Sequence, residues 1–169
     1  MQVSYCDVID MAPKQVICDG TPLSMSARQG TSICGVDIWA THFSHILTNV
    51  RCSIENHVAG DGVAFVYSFA DAGTPGATAG ISNGKPVAVQ INTAGPSSFV
   101  LGGGIAYDPA VPVAAAGNTI LDVENTQADA DVAWRQRLDG VVKAGTQTVG
   151  LSGPTYTVSH FTAVEIPGP

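Results

Sequence analysis

Charge is what this chain has least of: of 169 residues only 12% are Asp, Glu, Lys or Arg, about half the share usual in soluble proteins. Ser, Thr, Asn, Gln and Gly must therefore cover the surface, or partner subunits must bury part of it. Basic residues are the scarcer sign, 7 against 14 acidic, for a formal net charge of −7. They are also scattered, with only Arg135 and Arg137 close together. Phosphate backbones demand clustered Lys and Arg that displace counterions, so nucleic acid is not an expected partner. No stretch approaches the roughly 20 apolar residues that cross a bilayer as a helix. Asp7 and Asp10 sit where a signal peptide would carry a basic start and an unbroken apolar run. Neither a membrane nor a secretory leader is expected.

Other absences narrow the chemistry. The four cysteines, Cys6, Cys18, Cys34 and Cys52, show no Cys-x-x-Cys spacing, so they do not resemble a zinc or dithiol redox site. The first reading is four buried thiols in strands. Disulfides are the alternative if the mature protein lives outside the cell. No Gly-x-x-x-x-Gly-Lys loop occurs, and Gly102-Gly103-Gly104 runs into Ile105-Ala106-Tyr107 in strand-like context. No cofactor is expected.

What is present is β-type alternation. In residues 62–70, Val63, Phe65, Tyr67 and Phe69 share one face and small residues the other. Near the end, Tyr156, Val158, His160, Thr162, Val164 and Ile166 do the same. Residues 3–9, 15–18, 32–39, 46–54, 86–92, 99–107 and 119–123 read as further strands between Gly, Pro and Asn punctuation. Residues 131–144 fit both periods, but Asp139-Gly140 favours a hairpin of 132–138 with 141–144, since glycine within a helix costs about 1 kcal/mol. About ten short strands with almost no helix indicate an all-β, antiparallel sandwich or jelly roll. Gly73-Thr74-Pro75-Gly76-Ala77-Thr78 mimics two collagen triplets, then breaks, and reads as a loop.

Several constellations could carry chemistry. Gly80-Ile81-Ser82-Asn83-Gly84 matches the nucleophile elbow of serine hydrolases, and Asp108 or Asp122 and then His160 follow in the right order. The elbow works only between a strand and a helix, and here the motif reads as a Gly/Ala/Thr loop before Lys85-Pro86. No catalytic residue is therefore expected. His42 and His45 have ligand-like spacing only on a helix, and His57 is isolated. Asp129-Ala130-Asp131, with Asp122 and Glu124 upstream, lacks the glycine turn of a calcium loop. No metal site is expected. Trp39, Phe43, Trp134 and Tyr156 could stack on a sugar. With Phe65, Tyr67 and Phe161 they read instead as core or subunit-interface aromatics.

The second half carries a family resemblance. Pro112-Val113-Ala114-Ala115-Ala116-Gly117-Asn118-Thr119-Ile120-Leu121-Asp122-Val123 resembles a strand of C1q/TNF-like jelly rolls. Ala133-Trp134-Arg135-Gln136-Arg137-Leu138, Gly153-Pro154-Thr155-Tyr156-Thr157-Val158 and Phe161-Thr162-Ala163-Val164-Glu165-Ile166 resemble its closing strands. They are most similar to the versions in bacteriophage tail-fibre, head-fibre and decoration proteins. The match covers residues 58–166. Residues 1–57 would add strands or an attachment region, giving with 58–169 one compact domain. The resemblance implies a non-enzymatic virion structural protein on a capsid or tail surface. It further implies a ten-stranded sandwich that forms a homotrimer and contacts other virion proteins. A carbohydrate- or receptor-binding module for host-surface glycan is the alternative.

Overall fold

Short apolar runs rich in Val, Ile and aromatic residues fit a pleated, half-buried surface better than a helix. The computed structural model describes residues 1–6, 12–31, 34–43, 48–56, 62–126 and 131–169. Among them there are strands and no helix. In chain order they are β1 (Gln2–Tyr5), β2 (Pro13–Cys18), β3 (Thr21–Pro22), β4 (Ser24–Gly30), β5 (Gly35–Ala40), β6 (Cys52–Asn56) and β7 (Gly62–Phe65). Then follow β8 (Thr78–Ser82), β9 (Ala88–Thr93), β10 (Ser98–Ala106), β11 (Val113–Ala114), β12 (Asn118–Thr126), β13 (Asp131–Leu138), β14 (Gly145–Gly153) and β15 (Ser159–Pro167).

The strands stack as antiparallel layers. A five-stranded sheet, β12-β13-β10-β15-β8, lies inside. The three-stranded sheet β11-β14-β9 covers one face of it and the four-stranded sheet β4-β5-β1-β7 the other. A further sheet, β3-β2-β6, packs on the outer side of the four-stranded one through Val3, Val16, Cys18, Leu23 and Trp39. The inner sheet is thus sandwiched, which is why every residue of β15 before Pro167 is buried. The all-β sandwich expected from alternation is what forms, with fifteen strands among the described residues in place of about ten.

The main core lies between the three- and five-stranded sheets. Trp134 stacks on Tyr156 and Phe161 at ring-centroid distances of 5.7 and 6.2 Å. Gly102 and Gly104 of β10 make room for these rings. A Cβ at Gly102 would lie 2.5 Å from Phe161 Cζ, and one at Gly104 would overlap the Trp134 indole. Gly103 points to the other layer, where the buried Gln2 side chain takes its space and donates to Trp134 O at 3.0 Å. The triple glycine is a packing device. Gln136 completes this core: it accepts from Trp134 Nε1 and donates to Asn118 Oδ1 and Gly150 O, so its buried amide is satisfied.

Five strands have no counterpart in the sequence reading. β4, β8 and β14 are mostly small and polar residues, their apolar alternation reduced to short pairs such as Ala79 with Ile81 and Val149 with Leu151, and β3 and β11 are two-residue pairings. The expected hairpin is corrected as well. Residues 132–138 are a strand, but after Asp139-Gly140 the chain leaves that sheet. Val142 bridges Ser98, and β14 pairs with β9 in the facing sheet. Gly140, at φ +70°, makes a corner between layers. The alternating segment 62–70 stays in strand form only to Phe65; Val63, Phe65 and Tyr67 still line one cluster, and Phe69 packs on Phe99. The expected strands over 3–9, 32–39 and 46–54 extend partly outside the described residues.

The cysteines are paired, which corrects the reading as thiols. Cys6–Cys34 joins the end of β1 to the start of β5, and Cys18–Cys52 links opposed residues of β2 and β6. Spacing alone could not reveal this, because pairing depends on which strands become neighbours. β7 hydrogen-bonds to β1 and so belongs to the sheet built mainly from the first forty residues.

Candidate functional site

The elbow-like motif lies on an edge strand. β8 carries Ser82 opposite His160 of β15, and this antiparallel register turns both side chains toward the four-stranded layer. Ser82 Oγ and His160 Nδ1 are 2.8 Å apart, and Gln29 Nε2 of β4 donates to the same oxygen at 2.7 Å. The Ser82 hydroxyl thus accepts from the amide and shares one proton with the imidazole nitrogen. Burial lowers the His160 pKa, which keeps the ring neutral near pH 7. The strand–turn–helix of a nucleophile elbow is replaced by two paired strands. The two acids suggested by chain order are occupied elsewhere: Asp122 faces Arg135 at 3.3 Å, and Asp108 accepts from Ala110 N. What the arrangement does is join three strands from two layers.

The other sequence candidates disperse. His42 is exposed, while His45 and His57 lie outside the described residues, as do Asp129 and Ala130; Asp131 is buried. Among the described residues no three His, Cys, Asp or Glu side chains converge as metal ligands. The four aromatics suggested for sugar stacking share no surface. Trp134 and Tyr156 are in the main core, and Trp39 packs with Phe43 in the outer one. Phe161 belongs to the main core, and Phe65 and Tyr67 to the layer between.

An open concave surface among the described residues lies elsewhere. A cleft of about 470 Å³ runs along β7 and is lined by Gly62–Phe65, Val66, Asp122, Glu124 and Arg135. Its origin is a mismatch of widths. β4 and β5 pack across β8, β15 and β10, and β1 and β7 continue over β10 and β13, so four strands run out before β12 is reached. The Arg135 guanidinium sits 5.3 Å from the Phe65 ring centroid and 5.2 Å from that of Tyr67, within cation–π range. No family model matches the chain, and none of the curated proteins or solved structures does.

Two polar groups that the sequence reading passed over matter to the build. Glu165 Oε1 accepts from Ala94 N, Gly95 N and Ser98 Oγ, and Oε2 from Ala77 N. Burial alone would raise its pKa, but the hydrogen bonds from Gly95, Ser98, Ala77 and Ala94 outweigh it and hold the carboxyl below its ordinary value. Asp37, wholly buried, takes a two-pronged contact from Arg28 at 2.7 and 2.5 Å. A lone acid inside an apolar alternation, as Glu165 is in the last strand, was the available signal.

Proposed function

We propose that the protein is a non-enzymatic structural component displayed on the surface of a bacteriophage capsid or tail. The carrying observation is the pair of disulfides, one cross-linking β1 to β5 within the four-stranded sheet and the other β2 to β6 within the sheet packed outside it. Disulfides persist in oxidising surroundings, virion surfaces among them. Closing loops with separations of 28 and 34 residues stabilises the folded state by about 3–4 kcal/mol each in the chain-entropy account. Two cross-linked sheets packed beside a doubly covered one suit a part that must persist outside a cell. The resemblance of the closing strands to phage C1q/TNF-like domains is the ground for choosing a virion over other extracellular settings.

Trimerisation belongs to the same proposal. Tyr107 and Val158, on neighbouring strand ends, are exposed together with Val111 and Val113. Packing them between protomers would remove apolar surface from water. Light scattering at micromolar concentration should give a mass near three times the 17.3 kDa chain. A stable monomer that also fails to bind purified capsid or tail proteins would sink the proposal.

A further inference from the structure

We infer that the cleft beside β7 is a docking site for an extended segment of a basic partner protein. The segment enters as a fifth strand of the four-stranded sheet. Three observations converge. Among the described residues β7 is hydrogen-bonded on one side only, to β1, and β12 on one side only, to β13. An unpaired edge offers backbone N–H and C=O groups to an incoming strand. Second, the four-stranded layer is one strand too narrow for the five-stranded sheet beneath it. A strand added at β7 would lie over β12, which no described strand covers on that face.

The third observation decides the partner's chemistry. The bare face of β12 presents Asp122 and Glu124, two residues apart and therefore on the same side. Facing sheets lie roughly 10 Å apart, a gap that Lys or Arg spans and Val does not. Inward-facing residues of the added strand repeat every second position, matching the carboxylate spacing. Arg135, the cation in the cleft, leans on Asp122 and on the Phe65 and Tyr67 rings. Among the described residues no cation pairs with the Glu124 carboxylate, which can therefore take a newcomer. The occupant is thus a strand with Lys or Arg at alternate positions. This inference needs only the cleft, and it stands or falls separately from virion display.

The test is hydrogen exchange of residues 62–65 in the whole disulfide-bonded protein, with a capped (Lys-Val)3 peptide as the probe. Exchange there should slow about tenfold with this peptide and stay unchanged with (Glu-Val)3. It should also stay unchanged with (Lys-Val)3 N-methylated at alternate backbone nitrogens. Glu124→Arg, an exposed substitution, should weaken (Lys-Val)3 binding by about tenfold. No slowing with (Lys-Val)3, or slowing that ignores N-methylation or Glu124→Arg, overturns the inference. So does protection of 62–65 without peptide in a sample of doubled mass, which would make the occupant a second copy of this chain.

Discussion

Replacing Glu165 by Gln preserves shape and removes one negative charge from a site that receives four donors. Oε1 takes three of them and Oε2 takes the amide of Ala77 at 3.1 Å. Gln has one acceptor oxygen. If that oxygen faces Ala94, Gly95 and Ser98, the new NH2 group meets the Ala77 N–H donor to donor. Turning the amide over is worse, since the Ala94 and Gly95 N–H groups would both confront it and only the Ser98 hydroxyl could turn to accept. A donor left facing a donor costs about 1–3 kcal/mol, and hydrogen bonds to a charged acceptor exceed neutral ones by about 1 kcal/mol each. Ala77 is half-buried, so water relieves part of this, and a net loss of about 3 kcal/mol is expected. For a chain of this size that lowers Tm by about 6–12 °C. Urea unfolding followed by the buried Trp134 reads it. The pH dependence supplies a second check. The folded pKa lies below the ordinary 4.5, so Glu165's contribution is fully present above that value and lost as pH falls through the folded pKa. The gap between wild type and Glu165→Gln should be flat near neutrality and close below about pH 4.5. A loss under about 0.5 kcal/mol, or a gap that persists in acid, would refute the assignment of Glu165 as the anchor of these loops.

Gly104→Ala should cost more than about 3 kcal/mol, because the added methyl meets the Trp134 ring inside a core with no slack; near-UV circular dichroism of the stacked Trp134 would report the disturbance. Replacing Cys18 and Cys52 together by Ala should lower stability by about 3–4 kcal/mol in denaturant titrations, with thiol titration of the native wild type finding no free sulfhydryl at any of the four positions. Ser82→Ala should lose about 1 kcal/mol from the Gln29–Ser82–His160 link, and a fluorophosphonate probe should leave wild-type Ser82 unlabelled; labelling would mean an activated nucleophile. His160, whose folded pKa is lowered, contributes stability above its ordinary 6.5 that is lost as pH falls through the folded value, and His160→Gln should flatten the stability profile below about pH 6.5.

Alternation carried the fold class, because a half-buried strand leaves a period of two wherever one face is apolar and the other polar. That signal located β9, β10, β13 and β15 to within a few residues. It missed β4, β8 and β14, where apolar alternation shrinks to pairs such as Val149 with Leu151 among Ser, Thr, Gly and Gln residues that gain their strand conformation from neighbours. Their pairing partners, β5, β15 and β9, lie from a few residues to some eighty away in the chain. Asp139-Gly140 does bend the chain, yet it closes no hairpin, because a two-residue motif cannot say whether the next strand returns beside the last one or crosses to the facing sheet. The cysteine partners, the Ser82–His160 contact and the room that Gly102 and Gly104 leave for Phe161 and Trp134 arise only when distant strands come into register. The cleft depends on still less local information: it exists because a four-stranded layer rests on a five-stranded one. The residues set how each strand divides its faces; the stacking of layers decided which faces met, and which one was left open.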